Sequence, residues 1–310
     1  MSGPRIDISE SFTWEEGLPR PQWGILTTWV ETRVADDARY DAWTDICRQW
    51  LERLQTELGN SYRVSESTSF LALHPEKTAN IAELLQFGEY CCRHISKTLP
   101  DVAQYPETGK HVIVVLHNSD RYYQYLSAYY PDGHHGDSAG VHIREGYSHI
   151  ALHGSELCSL QNTLAHELTH AALQHLGMPL WIEEGLTQTY EHNLTSRNQI
   201  LVTAEMAQEH KRYWKKHGLD AFWRGEGFTR PGRIQMLSYQ LAEITMRLMI
   251  ERFRPRWFGL DKGPTRRFFA FLQNANELDC GAAAAKNHLG SELGELVGEF
   301  LGPGDWEPSL

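Results

Sequence analysis

The sequence predicts an α+β protein, with strands and helices mixed in the first half of the chain and helices alone in the second. Short runs rich in β-branched, aromatic or other apolar residues, which predict strands, occur before residue 153. From Ser159 onward, apolar residues recur at the spacing of amphipathic helices. Hydrophobic residues make up 41% and charged residues 22% of the 310 residues, as in ordinary globular proteins.

The individual elements are predicted from the spacing of apolar residues and from turn residues. Pro4, Gly17, Pro19 and Pro21 predict an irregular N-terminal arm over residues 1–22. The predicted strands are residues 24–34, 67–73, 111–116, 140–143 and 148–152. The predicted helices are residues 36–58, 78–99, 120–130, 159–176, 181–193, 198–217, 234–253 and 264–274.

This order of elements divides the chain into two lobes. Residues 23–176 are expected to form an N-terminal α/β lobe that includes the helix 159–176. Residues 177–310 are expected to form a mostly helical C-terminal lobe. The chain has no internal repeat, which excludes a solenoid.

Charge, apolar runs and cysteines exclude several classes of protein. The net charge of −11 argues against a nucleic-acid partner, because phosphate binding needs a surplus of Lys and Arg. No apolar run approaches the length of a membrane span, and the N-terminus lacks the order of a signal peptide. The five cysteines form no C-x-x-C pair and predict reduced thiols. We therefore expect a cytoplasmic protein with no membrane partner, and no sequence feature indicates an oligomeric state.

The segment H-E-L-T-H, residues 166–170, carries the strongest chemical signal. Positions four apart on a helix lie about 40° apart around its axis, so His166 and His170 can direct two imidazoles at one metal ion. Glu167 lies beside the first ligand and can reach a metal-bound water without binding the metal itself. This arrangement predicts a zinc site with a neighbouring general base.

A carboxylate on the next helix can complete such a site. Glu183 and Glu184 stand in the segment P-L-W-I-E-E-G-L-T, and either would give two histidines and a glutamate with a fourth position for water. The spacing H-E-x-x-H-x-x-G-x-x-H is not met, because residues 173 and 176 are both Leu. His175 lies roughly 140° round the helix from His170 and is expected to be a surface or packing residue.

The two segments together resemble the gluzincin metallopeptidases, the thermolysin-like group, and more closely the bacterial peptidase-MA-like set. That resemblance implies a thermolysin-like fold in which a mixed sheet ends in an edge strand and is followed by a zinc-binding active-site helix. It implies one Zn²⁺ per chain, bound by His166, His170 and Glu184, because the third ligand in the set directly precedes glycine. Thr187 departs from the pattern, which often has Ala there.

The resemblance also implies an activity, the hydrolysis of peptide bonds in a peptide or protein substrate. Glu167 would be the general base, and Tyr239, in an S-Y pair like that of these families, would stabilise the oxyanion. Tyr190 is a weaker candidate for that role. The chain lacks a G-x-M-E-N segment, which favours an endopeptidase over the aminopeptidases that carry it. The strand 140–143 is expected to be the edge strand that pairs with an extended substrate.

Other interpretations remain open on the sequence alone. The chain could be a regulatory module that binds proteins while retaining the gluzincin fold and zinc, or a hydrolase of a non-peptide amide. Asn162 and Thr187 could each support a metal ligand, although both are more often plain helix residues. His134 and His135 belong to a predicted loop, more simply a polar surface loop than a cover for the site.

Overall fold

The computed structural model describes residues 6–78, 80–106, 108–131, 138–195, 200–254 and 262–309. The chain folds into two compact units. Residues 1–94 and 105–171 form the first unit, and residues 95–104 and 172–310 form the second. An α+β fold with a mixed sheet is confirmed. The division differs from the predicted lobes, because residues 95–104 belong to the second unit and the later boundary follows residue 171.

The elements of the described chain are as follows. The strands are β1 Phe12–Glu15, β2 Leu18–Pro21, β3 Tyr62–Glu66, β4 Phe70–Pro75, β5 His111–Leu116, β6 Gly140–Ile143 and β7 His149–His153. The helices of the first half are α1 Trp23–Arg33, α2 Arg39–Leu58, α3 Ile81–Thr98, α4 Ser119–Ser127 and α5 Leu157–Leu173. The later helices are α6 Leu180–Thr195, α7 Ala204–His217, α8 Asp220–Trp223, α9 Glu226–Thr229, α10 Arg233–Arg252, α11 Gly263–Asn274, α12 Ala282–Ala284 and α13 Leu293–Leu301.

Two predictions near the N-terminus are wrong. Of residues 24–34, predicted as a strand from their Thr, Trp and Val content, 24–33 belong to helix α1, because the buried residues Leu26 and Val30 are spaced as on a helix. Within the predicted irregular arm, β1 and β2 pair as a hairpin. Glu16 and Gly17 both have positive φ, as a two-residue hairpin turn of type I′ requires. Composition alone misassigned both segments.

The first unit is built on a five-stranded sheet of order β3-β4-β5-β7-β6. The three central strands β4, β5 and β7 run parallel, while β3 and β6 are antiparallel to their neighbours. The side chains of β4 are buried on both faces, as expected of an inner strand. Strand β6 ends the strand order, so within the described residues it has a strand partner on one side.

The register of β6 determines where its main-chain groups point. The amide of His153 donates to the carbonyl of Ala139 at 2.7 Å, which makes these residues a hydrogen-bonded pair. Because such pairs alternate along an antiparallel ladder, Val141 also faces β7 with its N–H and C=O groups. The main-chain groups of Gly140 and His142 therefore point away from β7.

Helix α5 lies directly against this strand. A β-carbon on Gly140 would overlap the Cγ2 methyl of Thr163 and come within 3.0 Å of Leu152 Cδ2. Only glycine allows this approach, since real Cβ atoms essentially never come that close to a neighbour. The strand 140–143 and the helix that carries residues 166–170 are thereby held together.

The second unit is helical, and its central contact joins α6 and α10. Gly185 lies so close to α10 that a β-carbon there would be 2.7 Å from the carbonyl oxygen of Ala242. The indole of Trp181 is buried among Phe222 and Trp223, and its Nε1 donates to the carbonyl of Cys280 at 3.0 Å. The tryptophan of the P-L-W-I-E-E-G-L-T segment is thus a core residue of this unit.

Residues 95–104 belong to the second unit through specific hydrogen bonds. The hydroxyls of Thr98 and Tyr190 are 2.8 Å apart. The side-chain amide of Gln273 donates to the carbonyl of Asp101 at 2.6 Å. An early segment of the chain therefore completes a unit whose other residues come much later.

Some predicted features fall outside the residues described. The loop with His134 and His135 and the start of the predicted helix 198–217 are among them. Across the described residues, no helix is both long and apolar enough to span a lipid bilayer.

Candidate metal centre

Helix α5 brings the two histidines of the H-E-L-T-H segment together. The Nε2 atoms of His166 and His170 are 3.2 Å apart, and the ring centroids are 4.9 Å apart. Both side chains are half-buried. Their spacing of four residues accounts for the convergence, since it puts them one turn apart on one helix face.

The distance between the imidazoles suits a shared metal ion. Zinc binds histidine nitrogen at 2.0–2.1 Å, so two such ligands in a tetrahedron are separated by about 3.3 Å. The Nε2 atoms of His166 and His170, 3.2 Å apart, match that separation. Neutral imidazoles offer the lone pairs that a divalent ion needs.

Glu184 is the third member of the group. One ligand atom from each of His166, His170 and Glu184 lies within 4.8 Å of the others. In the part of the chain that the structure describes, no other set of three His, Cys, Asp or Glu side chains meets this condition. Glu184 is only 6% exposed, and Glu183 is also buried but does not belong to the group. The structure thus brings together the three residues predicted as ligands.

Glu167 points to the sheet rather than to the imidazoles. Consecutive helical residues are about 100° apart, so its side chain leaves the face that carries His166. Its Oε2 atom accepts a hydrogen bond from the main-chain N–H of His142 at 2.8 Å. The carboxylate is 6% exposed. A buried carboxylate with one oxygen engaged by an amide is therefore present next to the two histidines.

His142 was not predicted as a site residue. Its side chain is buried, and its Nε2 atom lies 2.7 Å from the hydroxyl of Ser148 at the far side of the β6–β7 turn. Its contact with Glu167 uses the main chain, which carries no signature in the sequence. Only the predicted strand 140–143 could have indicated that an edge of the sheet lies near Glu167.

Among the residues that the structure describes, neither Asn162 nor Thr187 forms a hydrogen bond with a predicted metal ligand. The hydroxyl of Thr187 donates to the carbonyl of Glu183 at 2.7 Å, within its own helix. Asn162 is 4% exposed, and its Oδ1 atom accepts no hydrogen bond from the residues described. Thr187 is therefore a plain helix residue. His175 follows the end of α5 and is exposed, which confirms that it is a surface residue.

The two candidate tyrosines have different surroundings. Tyr239 lies on α10, is half-buried and packs edge-to-face on Phe228 with centroids 5.2 Å apart. Tyr190 is buried with its hydroxyl against Thr98, and burial raises its pKa to about 12. The contact with Thr98 gives the Tyr190 hydroxyl a structural role. Tyr239 stays the prediction for the oxyanion donor.

Comparison with known proteins assigns the chain to no family. No protein-family model matches the chain, and no curated protein sequence matches it. Function is therefore inferred from the site residues and their geometry.

Proposed function

We propose that the chain is a zinc-dependent metallopeptidase in which His166, His170 and Glu184 hold the metal. The observation that carries this proposal is the convergence of these three side chains within 4.8 Å. The resemblance of the H-E-L-T-H and P-L-W-I-E-E-G-L-T segments to gluzincins supports it.

The donor set favours zinc and a catalytic role. Two imidazole nitrogens and one carboxylate oxygen suit Zn²⁺, whereas Mg²⁺ and Ca²⁺ prefer oxygen ligands throughout. Structural zinc sites are usually closed by four protein ligands that include thiolates. No cysteine belongs to the group of His166, His170 and Glu184. Three protein ligands leave one position for water, which is the arrangement of catalytic zinc sites.

Glu167 is the group that would move the proton. Zinc, when bound, lowers the pKa of a coordinated water and polarises the substrate carbonyl. The carboxylate of Glu167 accepts the proton of the attacking water and passes it to the departing amine. The Glu167 carboxylate is buried beside His142, so bulk water has little access to its oxygens. The hydroxyl of Tyr239 would donate to the oxyanion, as the resemblance implies.

Strand β6 supports an extended peptide as the substrate. The main-chain groups of Gly140 and His142 point away from β7, and β6 ends the strand order. A peptide can add to such an edge through main-chain hydrogen bonds. The same strand contacts Glu167, so a peptide paired there lies beside the general base.

Metal analysis combined with a peptide-library digest tests the proposal. We expect one zinc per chain and cleavage that a chelator abolishes. Glu167→Gln should retain zinc and lose about 10²- to 10⁴-fold in kcat, because it keeps the shape of the side chain but cannot accept a proton. Glu184→Gln should lose zinc, whereas the matched control Glu183→Gln should retain both zinc and activity.

Two outcomes would overturn the proposal. Undiminished hydrolysis by the Glu167→Gln variant would remove the assigned base. Bound zinc without cleavage of any library peptide would favour a protein-binding module, or a hydrolase of another amide, that keeps the metal site.

A further inference from the structure

The contact between Glu167 and the edge strand suggests how the base is held. Oε2 of Glu167 and the main-chain nitrogen of His142 are 2.8 Å apart. We propose that β6 is the positioning element of the general base: the His142 N–H fixes one carboxylate oxygen of Glu167 and leaves the other for proton transfer. This inference rests on the proposed function.

The amide of His142 is available for this purpose because the sheet does not use it. In the β6–β7 ladder, Val141 faces β7, so the N–H of His142 points to the free side of the strand. His142 is only 7% exposed, and a buried amide without an acceptor would be costly. The carboxylate of Glu167 supplies that acceptor through one of its two oxygens.

The strand that carries the amide is itself fixed at two points. Gly140 packs on Thr163 of α5 without room for a β-carbon. The imidazole of His142 reaches the hydroxyl of Ser148 at 2.7 Å, across the turn that follows β6. The donor therefore has a defined position relative to the helix that carries Glu167.

A fixed donor matters because the terminal torsion of a glutamate is otherwise broad. Carboxylates rotate about their last bond with only weak preferences. A hydrogen bond from an amide to an ionised carboxylate is roughly twice as strong as a neutral one and selects one orientation. Proton transfer requires the base to lie within hydrogen-bond reach of its proton, so this selection contributes directly to the rate.

The same contact limits how a substrate can pair with the strand. The His142 N–H is occupied by Glu167, so it is not offered to a peptide. An extended peptide would use the main-chain groups of Gly140 and the carbonyl of His142 instead.

Amide hydrogen exchange tests the hydrogen bond without relying on activity. In the wild-type protein the His142 amide should exchange slowly. Glu167→Gln should preserve this protection, because its amide oxygen still accepts, whereas Glu167→Ala should speed exchange at least about tenfold. The Val141 amide, which belongs to the ladder, is the internal control and should not change. Equal exchange of the His142 amide in wild type and Glu167→Ala would overturn the proposal.

A pair of variants at residue 142 tests the effect on catalysis. His142→Pro removes the N–H at an outward-facing edge position, where proline costs no ladder hydrogen bond. His142→Ala keeps the N–H and removes only the imidazole. We expect kcat of the proline variant to be about 10- to 100-fold below that of the alanine variant, with KM and zinc content similar in the two. Equal kcat values would overturn the positioning role.

The two kinds of failure are distinguishable. If His142→Pro does not fold, the exchange of the His142 amide in Glu167→Ala still decides whether the contact exists. If zinc-loaded wild type cleaves no peptide, the proposed function fails, while the exchange result stands by itself.

Discussion

Gly185 and the carbonyl of Ala242 are so close that a β-carbon on residue 185 would lie 2.7 Å from the carbonyl oxygen. This oxygen belongs to the backbone of a long helix and cannot move aside as a flexible side chain would. Alanine favours helices over glycine by about 1 kcal/mol, but overpacking costs about 1 to 3 kcal/mol. We therefore expect Gly185→Ala to lower the free energy of unfolding by up to about 2 kcal/mol, measured by urea denaturation.

A second helical glycine provides the matched control. Gly298 lies in α13, where a β-carbon would meet Trp306 only at 3.9 Å. Gly298→Ala should raise stability by up to about 1 kcal/mol, because only the helix preference changes. Equal effects at both positions would contradict the close approach of α6 to α10.

Zinc should stabilise the folded chain. A ligand that binds only the folded state adds about 2.7 kcal/mol to the free energy of unfolding at one hundred times its Kd. We expect zinc to raise the denaturation midpoint of the wild type, and the effect to be lost in His170→Ala and Glu184→Gln. An undiminished zinc effect in both variants would show that the ion binds elsewhere.

The approach of β6 to α5 predicts a coupling between Gly140 and Thr163. Gly140→Ala should cost about 1 to 3 kcal/mol in stability, because its methyl overlaps the Cγ2 group of Thr163. Thr163→Ser removes that group and keeps the hydroxyl, which donates to the carbonyl of Ser159. The double variant should recover at least about 0.5 kcal/mol relative to additivity. Additive effects in the denaturation data would contradict the contact.

Tyr239→Phe should separate catalysis from stability. The ring keeps its packing on Phe228 and only the hydroxyl is lost, so the free energy of unfolding should fall by no more than about 1.5 kcal/mol, the usual contribution of one hydrogen bond. Loss of an oxyanion donor typically lowers kcat by about 10²- to 10³-fold. Tyr190→Phe is the control, and its kcat should stay near that of the wild type. An unchanged kcat in Tyr239→Phe would remove this residue from the proposed mechanism.

Stability should fall in mild acid because His149 is held neutral. Burial lowers the pKa of His149 to about 4, from an ordinary value of 6.5. Its Nδ1 lies 2.7 Å from the carbonyl of Tyr147 and its Nε2 lies 2.7 Å from the hydroxyl of Tyr125, so the neutral ring can donate to one and accept from the other. Below pH 6.5, His149 of the unfolded chain binds a proton, whereas His149 of the folded chain stays neutral down to about pH 4. The free energy of unfolding therefore falls across this window.

A variant at residue 149 measures the contribution. Between about pH 7.5 and about pH 4.5, the wild type should lose about 2 to 3 kcal/mol more than His149→Gln. The experiment is done with a chelator present, so that metal release does not contribute. His111, whose pKa burial also lowers to about 4, titrates in both proteins and cancels in the comparison. Equal losses in the two proteins would contradict a neutral His149.

The convergence of the proposed metal ligands was predictable because its signal is local. Two imidazoles four residues apart need only a helix to converge, and the buried pattern around residues 166–170 predicts that helix. The choice of Glu184 over Glu183 came from the resemblance, and the geometric group contains Glu184. Local periodicity likewise predicted strand 111–116 and the helices α5 and α6 close to their observed bounds.

The remaining features depend on contacts between distant segments. Strand β3 has only two apolar residues, Tyr62 and Val64, so its alternation is too short to identify it without its pairing with β4. The contact of Glu167 with His142 joins a side chain to a main-chain amide 25 residues earlier. No residue type marks such a donor, so the register of β6 has to be known first.

The hydrogen bonds of residues 95–104 limit how the protein can be divided and made. A fragment of residues 172–310 would lack the partner of Tyr190 at Thr98 and the partner of Gln273 at Asp101. On the ribosome, residues 95–104 are synthesised before residues 105–171 of the first unit. Their hydrogen-bond partners on α6 and α11 are synthesised later still. Cutting the gene after residue 171 would therefore yield an incomplete C-terminal piece, and a fusion of residues 95–104 to residues 172–310 would be the smaller unit to express.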